Sequence, residues 1–351
     1  MKSLNSLFLA AALLMASHTV SAQLSTNDQL WNGGLSLFHM DSRTTFQANP
    51  SVQHFLSPRF SIGGQLGLNG STRNGLENIL LAPEMRYYLN PEAKGTNWFL
   101  SLSSPLEIYE NGSLVSKPEF QLQPGLGSIT PLNGGLALES NLSFNFRHFG
   151  SNSFFEKPRM KFELGFVHLA RSNSDSDEAS GPRLGRGSWL LGGQLINAEY
   201  ANFSAIENFS IGIAPSAGYF LTDRLVAGMD LSLTYNYLKT DFTIAETNIH
   251  SRTFGLSVNP FLRYYTARPD NKIQPYLELR AGLNYQQIHT ETGNADPLQI
   301  SRSFSAGLGG GVNIFINRNT ALELGLNLGV RDGQPQFGFQ TGLKFFLNRR
   351  K

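Results

Sequence analysis

The sequence predicts an all-β fold, an antiparallel transmembrane β-barrel. Three observations carry that prediction: an export signal, long strands with one apolar face, and an ordered series of residues that appears twice. Composition agrees. Charged residues make up 15 % of the 351, well below the quarter usual in soluble domains. Gly numbers 35 and Phe 26, hydrophobic residues reach 40 %, and mean hydropathy is −0.20. These values exclude a bundle of membrane helices and suit a barrel in which every second residue faces lipid. With 0 Cys there is no disulfide framework, Cys-based zinc site or lipoprotein anchor. The net charge of +2 is scattered along the chain and resembles no nucleic-acid-binding surface.

The N-terminus predicts the compartment. Lys2 supplies a positive start, Leu7 to Ala16 (LFLAAALLMA) an apolar core, and Val20-Ser21-Ala22 a small-residue cleavage site. The apolar run is too short to span about 30 Å of hydrocarbon as a helix. Residues 1–22 are therefore expected to be removed, leaving Gln23 as the mature start. After Ala22 no apolar run approaches a membrane helix in length, so membrane crossing is left to strands.

The strand pattern is clearest from Val226 to Lys239. Met229, Leu231, Leu233, Tyr235 and Tyr237 share one face, and Asp230, Ser232, Thr234 and Asn236 the other. Tyr276 to Gln287 and Thr320 to Leu328 alternate in the same way. A soluble sandwich alternates too. These runs, however, reach about the ten residues a tilted strand needs to cross a bilayer, with tyrosines at their ends. Short links are expected at Ser57-Pro58, Leu132-Asn133, Thr222-Asp223 and Asn317 to Asn319. Longer polar links are expected at Asn69 to Asn78, His148 to Lys157, Asp241 to Ser251 and Ile288 to Ile300. Outer-membrane barrels keep short turns on the periplasmic side, which puts the second set outside.

The two halves match in order. Pro50-Ser51, Phe55-Leu56, Arg59, Gly63, Leu66 and Leu68 correspond to Pro215-Ser216, Phe220-Leu221, Arg224, Gly228, Leu231 and Leu233 at one fixed offset. Further on, Pro83-x-x-Arg86-Tyr87-Tyr88 corresponds to Pro260-x-x-Arg263-Tyr264-Tyr265. Gly125-Leu126-Gly127 corresponds to Gly307-Leu308-Gly309, and Ala137-Leu138-Glu139 to Ala321-Leu322-Glu323. A series kept in order across successive strands predicts an internal repeat. The expected organisation is a signal at 1–22, a first barrel unit at 23–170, a linker at 171–186 and a second unit at 187–351. About sixteen strands then close either as two tandem eight-stranded barrels or as one sixteen-stranded barrel.

From GSWLLGGQL through PSAGYFLTDRLVAG, NPFLRYYT, PYLELRAGLNY and TALELGLNLGV to FQTGLKFFL, the second half resembles small outer-membrane barrels of the porin-family or OmpA-like kind. The resemblance covers 187–347 and, more weakly, the first half. It implies outer-membrane location and barrel fold, and names no ligand. Such proteins usually end on an aromatic residue read by the barrel-assembly machinery. Here Asn348 to Lys351 follow Phe345-Phe346-Leu347.

With the apolar faces towards lipid, Asp230, Arg263, Glu278, Arg280, Glu323 and Lys344 point inward in the second unit. Glu84, Arg86, Glu139, Lys161 and Glu163 do so in the first. Such charges form either a charged eyelet or an ion-pair network that fills the barrel, and burial favours the network because shielded charges must be paired. Catalysis has thin support. His54, His148, His250 and His289 lie near turns or links, His18 goes with the signal, and neither G-x-S-x-G nor H-E-x-x-H occurs. Gly307 to Gly311 lacks the Lys-Ser/Thr of a phosphate loop. Asn173, Asp175 and Asp177 open like a calcium loop, yet Glu178 and Leu184 stand where its Gly and Glu belong. The expectation is a non-catalytic chain with no cofactor and no nucleic-acid partner. Its expected partners are outer-membrane lipid and lipopolysaccharide, with the barrel-assembly machinery during biogenesis. Two function classes remain: a structural or surface-interaction barrel, and a sixteen-stranded diffusion porin for small hydrophilic solutes.

Overall fold

The computed structural model describes residues 24–347 except 41–42, 73–74, 92–94, 112–113, 116–118, 134, 148–158, 171–183, 204–205, 243–246 and 293–296. The export signal, the polar link expected over 148–157, most of the linker and the last four residues lie outside these.

Period-2 patterning yields strands throughout. In the first half they are β1 (Gln29–Asn32), β2 (Gly34–Met40), β3 (Arg43–Ala48), β4 (Ser51–Ser57), β5 (Phe60–Ser71) and β6 (Gly75–Tyr88). They continue with β7 (Asn97–Ser103), β8 (Leu106–Asn111), β9 (Leu114–Val115), β10 (Glu119–Asn133), β11 (Leu136–Arg147) and β12 (Arg159–Ala170). The second half supplies β13 (Trp189–Phe203), β14 (Ile206–Phe220), β15 (Leu225–Phe242), β16 (Thr247–Tyr265), β17 (Ile273–Thr292), β18 (Leu298–Phe315), β19 (Thr320–Arg331) and β20 (Gln334–Leu347). Three staves are interrupted but keep one register through the break: β1 with β2 at Gly33, β3 with β4 at Asn49-Pro50, and β7 with β8 at Ser104-Pro105. Setting aside the short β9, the result is a closed, antiparallel, sixteen-stranded all-β barrel.

The closure is not uniform along the barrel. At the end where the described chain starts and finishes, hereafter the terminal end, β1 pairs with β12 and β13 pairs with β20. Each half there forms its own eight-stranded ring. Towards the opposite, far end the same four staves change partners. β2 pairs with β20 over Gly34–Met40, and β12 pairs with β13 from Met160 to Gly165. The two rings thereby merge into one sixteen-stranded ring. The molecule has two legs joined at a fork, so both closures considered from sequence are present at different heights.

The fork falls where the sequence offers glycine. Gly33 and Gly193 adopt φ of +97° and +81°, a left-handed region that side chains with a Cβ resist. Gly165 and Gly342 stand on the other two exchanging staves, where an added Cβ would meet open space. An extra residue in β13 between Gln194 and Asn197, which shifts its register against both β12 and β14, lets β13 bend from one partner to the next.

The outer surface is apolar, as the alternation requires. Leu231, Leu279, Leu283, Leu326 and Leu328 are exposed, while Gly282, Glu278 and Glu323 on the alternate positions are buried. A sealed backbone with an apolar belt satisfies the demands of a bilayer, and the protein resides in the outer membrane. Tyr87, Trp98, Tyr219 and Tyr264, with Trp31 and Trp189, point outward close to the terminal end, where an aromatic girdle marks the lipid boundary. The polar links expected at Asn69 to Asn78, Asp241 to Ser251 and Ile288 to Ile300 are instead mostly strand, in the ladders β5·β6, β15·β16 and β17·β18. Thr, Ser, His and Gln there retain strand pairing beyond the apolar belt, so polarity marks the exit from lipid rather than the end of the ladder. The turn expected at Leu132-Asn133 begins after Asn133, because β10 extends to that residue.

Candidate functional site: the charged floor of a forked chamber

Each leg carries near its terminal end a dry core and, above it, an ion-pair cluster. In the first leg Leu24, Leu30, Phe55, Tyr88, Phe99, Ile129, Ala137, Val167 and Leu169 pack into one core. In the second, Leu184, Leu190, Phe220, Val226, Phe261, Tyr265, Tyr276, Phe315, Ala321 and Phe346 do the same. Leu24 and Leu184 belong to no strand. Each segment bonds to the first hairpin of its leg, through Asn27 N–H to the Phe55 carbonyl and Gly187 N–H to the Phe220 carbonyl. A buried apolar side chain thus caps the foot of each barrel. Leu184 falls within the linker expected at 171–186; its burial makes the end of that stretch part of the second leg.

Nine of the eleven inward charges named from sequence fall into these clusters. In the second leg Arg263, Glu278 and Glu323 are each only 2 % exposed at the side chain. Arg263 donates from Nε and Nη2 to one oxygen of Glu278, at 2.8 and 2.7 Å, and from Nη1 to Glu323. Its guanidinium carbon sits 3.8 Å from the centre of the Tyr276 ring. Arg280 bridges Asp230 at 2.9 Å and Glu278 at 2.7 Å, and Lys344 approaches Glu323 at 3.6 Å. Three acids meet three bases, so the cluster is neutral. The Arg263–Glu278 pair follows from register, since β16 and β17 place the two residues directly opposite.

In the first leg Arg86 pairs with Glu139 through both oxygens, at 2.9 and 3.1 Å, and with Glu84 at 3.0 Å. Gln53 donates to Glu84 at 2.7 Å, and the Arg86 guanidinium carbon lies 4.6 Å from the centre of the Phe99 ring. Lys161 and Glu163 do not join this cluster. They pair with each other at 3.0 Å higher on β12, at the fork. A buried guanidinium without partners would be prohibitively costly, and the carboxylates and ring faces replace its water.

Sequence reasoning missed the aromatic rings beneath the guanidiniums, although a signal was present. Phe99 stands thirteen residues after Arg86, and Tyr276 thirteen after Arg263. It also missed Gln53 and the capping leucines, which no period-2 pattern marks. Above the clusters lies a cavity of about 540 Å³. Glu84, Arg86 and Glu139 line it from one leg and Glu323 and Lys344 from the other, with Gly33, Gly165, Gly193 and Gly342 at the fork. Amides of Gln65, Gln123, Asn141 and Asn145 line its wall on the first-leg side. Among the described residues no group of three His, Cys, Asp or Glu could hold a metal ion. His250 and His289 stand 3.9 Å from Glu291 near the far end, away from the chamber floor.

No protein-family model matches the chain, and no curated protein matches it. Among solved structures, a bacterial polysaccharide outer-membrane secretin aligns at 9 % identity over 93 % of this chain and 100 % of its own, with a TM-score of 0.46. The CymD monoaromatic hydrocarbon channel aligns at 10 % identity over 93 % of this chain and 90 % of its own, with a TM-score of 0.32. The N-terminal barrel domain of Pseudomonas aeruginosa OprF aligns at 19 % identity over 46 % of this chain and 99 % of its own, with a TM-score of 0.25.

Proposed function

We propose that this outer-membrane barrel is non-catalytic and acts at the cell surface as a blind cup: open to the exterior at the far end and closed towards the periplasm by its two legs. The observation that carries this reading is the pair of apolar cores, each capped by a buried leucine and roofed by an ion-pair cluster, charge-balanced in the second leg and with one excess carboxylate in the first. Eight-stranded rings have interiors about wide enough for their own side chains, and here aromatic rings occupy them. The terminal end is assigned to the periplasm because the turns there over 58–59, 221–224 and 316–319 are short, while the opposite hairpins rise beyond the lipid belt. Outer-membrane lipid and lipopolysaccharide are the proposed surroundings of the belt. The ordered series of matching residues supports an origin by tandem duplication of a small porin-family or OmpA-like unit.

A second reading, a diffusion porin, is favoured by one observation: towards the far end the ring has sixteen strands, a size that leaves an aqueous channel. Planar-bilayer recording separates the two. Purified protein is expected to give no steady conductance. Stable channels on the nanosiemens scale would overturn the blind cup in favour of the porin.

A further inference from the structure

We propose that the fork is a movable strand-exchange junction, at which the wide ring and the twin legs trade length by passing whole ladders between four staves without a change of register. The inference rests on the strand pairing alone and holds whether the cup binds a ligand or conducts.

The pairing registers carry it. In the first leg Gln29 faces Ala170. Continued in register, β2 would run along β12 with Gly34 opposite Gly165 and Met40 opposite Arg159. Met40 ends β2 and Arg159 begins β12, so the transferred ladder is flush at its far end. In the second leg Trp189 faces Leu347, and the same continuation, with the extra β13 residue between Gln194 and Asn197 kept as a bulge, brings Phe203, the end of β13, opposite the start of β20 at Gln334. Both legs can therefore zip to full height as complete eight-stranded barrels, using strands of matching length.

Faces survive the transfer because β2 and β12 keep one register and the bulge of β13 is carried over to its new partner. Leu37 lies beside Phe339 and would lie beside Phe162; Leu35 lies beside Thr341 and would lie beside Leu164. Each step breaks pairs in the β2·β20 and β12·β13 ladders and remakes as many in β2·β12 and β13·β20, so the net backbone change is small. Glycine at all four exchange points frees the backbone where it must turn. An ion pair across the exchanged β12·β13 ladder, Arg159 with Glu199, is a weak latch at 3.8 Å between side chains 24 and 38 % exposed. Motion has one direction. Towards the terminal end it would tear open the two apolar cores, whereas towards the far end it closes the chamber into two filled tubes. The 540 Å³ cavity at the fork is the volume at stake.

The natural absence of cysteine makes the test direct. In a variant carrying Leu37→Cys, Phe339→Cys and Phe162→Cys, residue 37 can form a disulfide with either partner. Residues paired across an antiparallel ladder lie about 4.5–5.5 Å apart at Cα, within disulfide reach. Brief oxidation in intact outer membranes, followed by peptide mapping, is expected to give both the 37–339 and the 37–162 products, each at roughly a tenth of the molecules or more. Reduction and renewed oxidation of either product should regenerate the mixture. A second set, Leu35→Cys with Thr341→Cys and Leu164→Cys, probes the same exchange nearer the fork and decides the matter if the first set fails to assemble into a heat-modifiable barrel. Only the β2·β20 product would mean a fixed fork, and only the β2·β12 product two permanently separate barrels; either result overturns the proposal.

Discussion

Arg263 shows how one residue organises the interior. Its guanidinium has exchanged water for two carboxylates and a tyrosine ring. Removing the cation leaves Glu278 and Glu323 as buried, partly unpaired charges. Arg263→Met is expected to cost about 3–5 kcal/mol, read as a lower urea midpoint for loss of the heat-modifiable band. Adding Glu278→Gln should recover part of that loss, and a double-mutant cycle should show coupling well above the scatter of additive sites. Strictly additive effects would mean that the pair does not act as a unit. The equivalent substitution at Arg86 should cost less, because Glu84 and Glu139 are more exposed, at 16 and 17 %, than their counterparts.

At the scale of elements, the faces of a strand and the caps of a leg make separate predictions. Leu231 and Leu279 point outward from β15 and β17. Arginine at either position is expected to cost about 2–4 kcal/mol if it lies near the bilayer midplane, whereas Ser232→Arg on the inner face is harmful only by crowding. Equal assembly of all three variants, scored by folded outer-membrane yield, would contradict the assigned faces. The caps are short segments outside any strand, yet Leu24 and Leu184 are buried as deeply as strand residues. Leu24→Ala and Leu184→Ala should each cost about 2–5 kcal/mol, read from denaturant midpoints. Values near zero would show that the feet close without them.

For the whole molecule, the question is how two eight-stranded closures coexist with one sixteen-stranded ring. Leg two contains every stave it needs, and its β13·β20 seam is already closed at the terminal end. The fragment 184–351, which keeps the Leu184 cap and is made without the first half, is expected to fold in detergent as a heat-modifiable monomer with that seam extended upward. A fragment that aggregates or never becomes heat-modifiable would show that β20 depends on β2 and β13 on β12. The legs also touch each other, with the rings of Phe166 and Phe345 5.9 Å apart. Separation therefore exposes apolar surface that the complete chain conceals.

Much of this was legible in the sequence because it depends on local period. Alternation at Leu231 and Asp230, or at Leu279 and Glu278, assigns each side chain to lipid or interior without knowledge of the neighbouring strand. Once the interior is dry, charge chemistry demands that Arg86 and Arg263 find carboxylates. Where the ladders end was less legible, since polar residues beyond the lipid belt pair as strands as readily as they form loops. Only the tertiary structure decided which strands close upon which. Local sequence places residues on faces, but β12 presents the same edge to β1 below and to β13 above, and either partner satisfies its backbone. That choice is settled by long-range competition among four compatible edges and by the volume their rings must fill, and neither is encoded in any single stretch of chain.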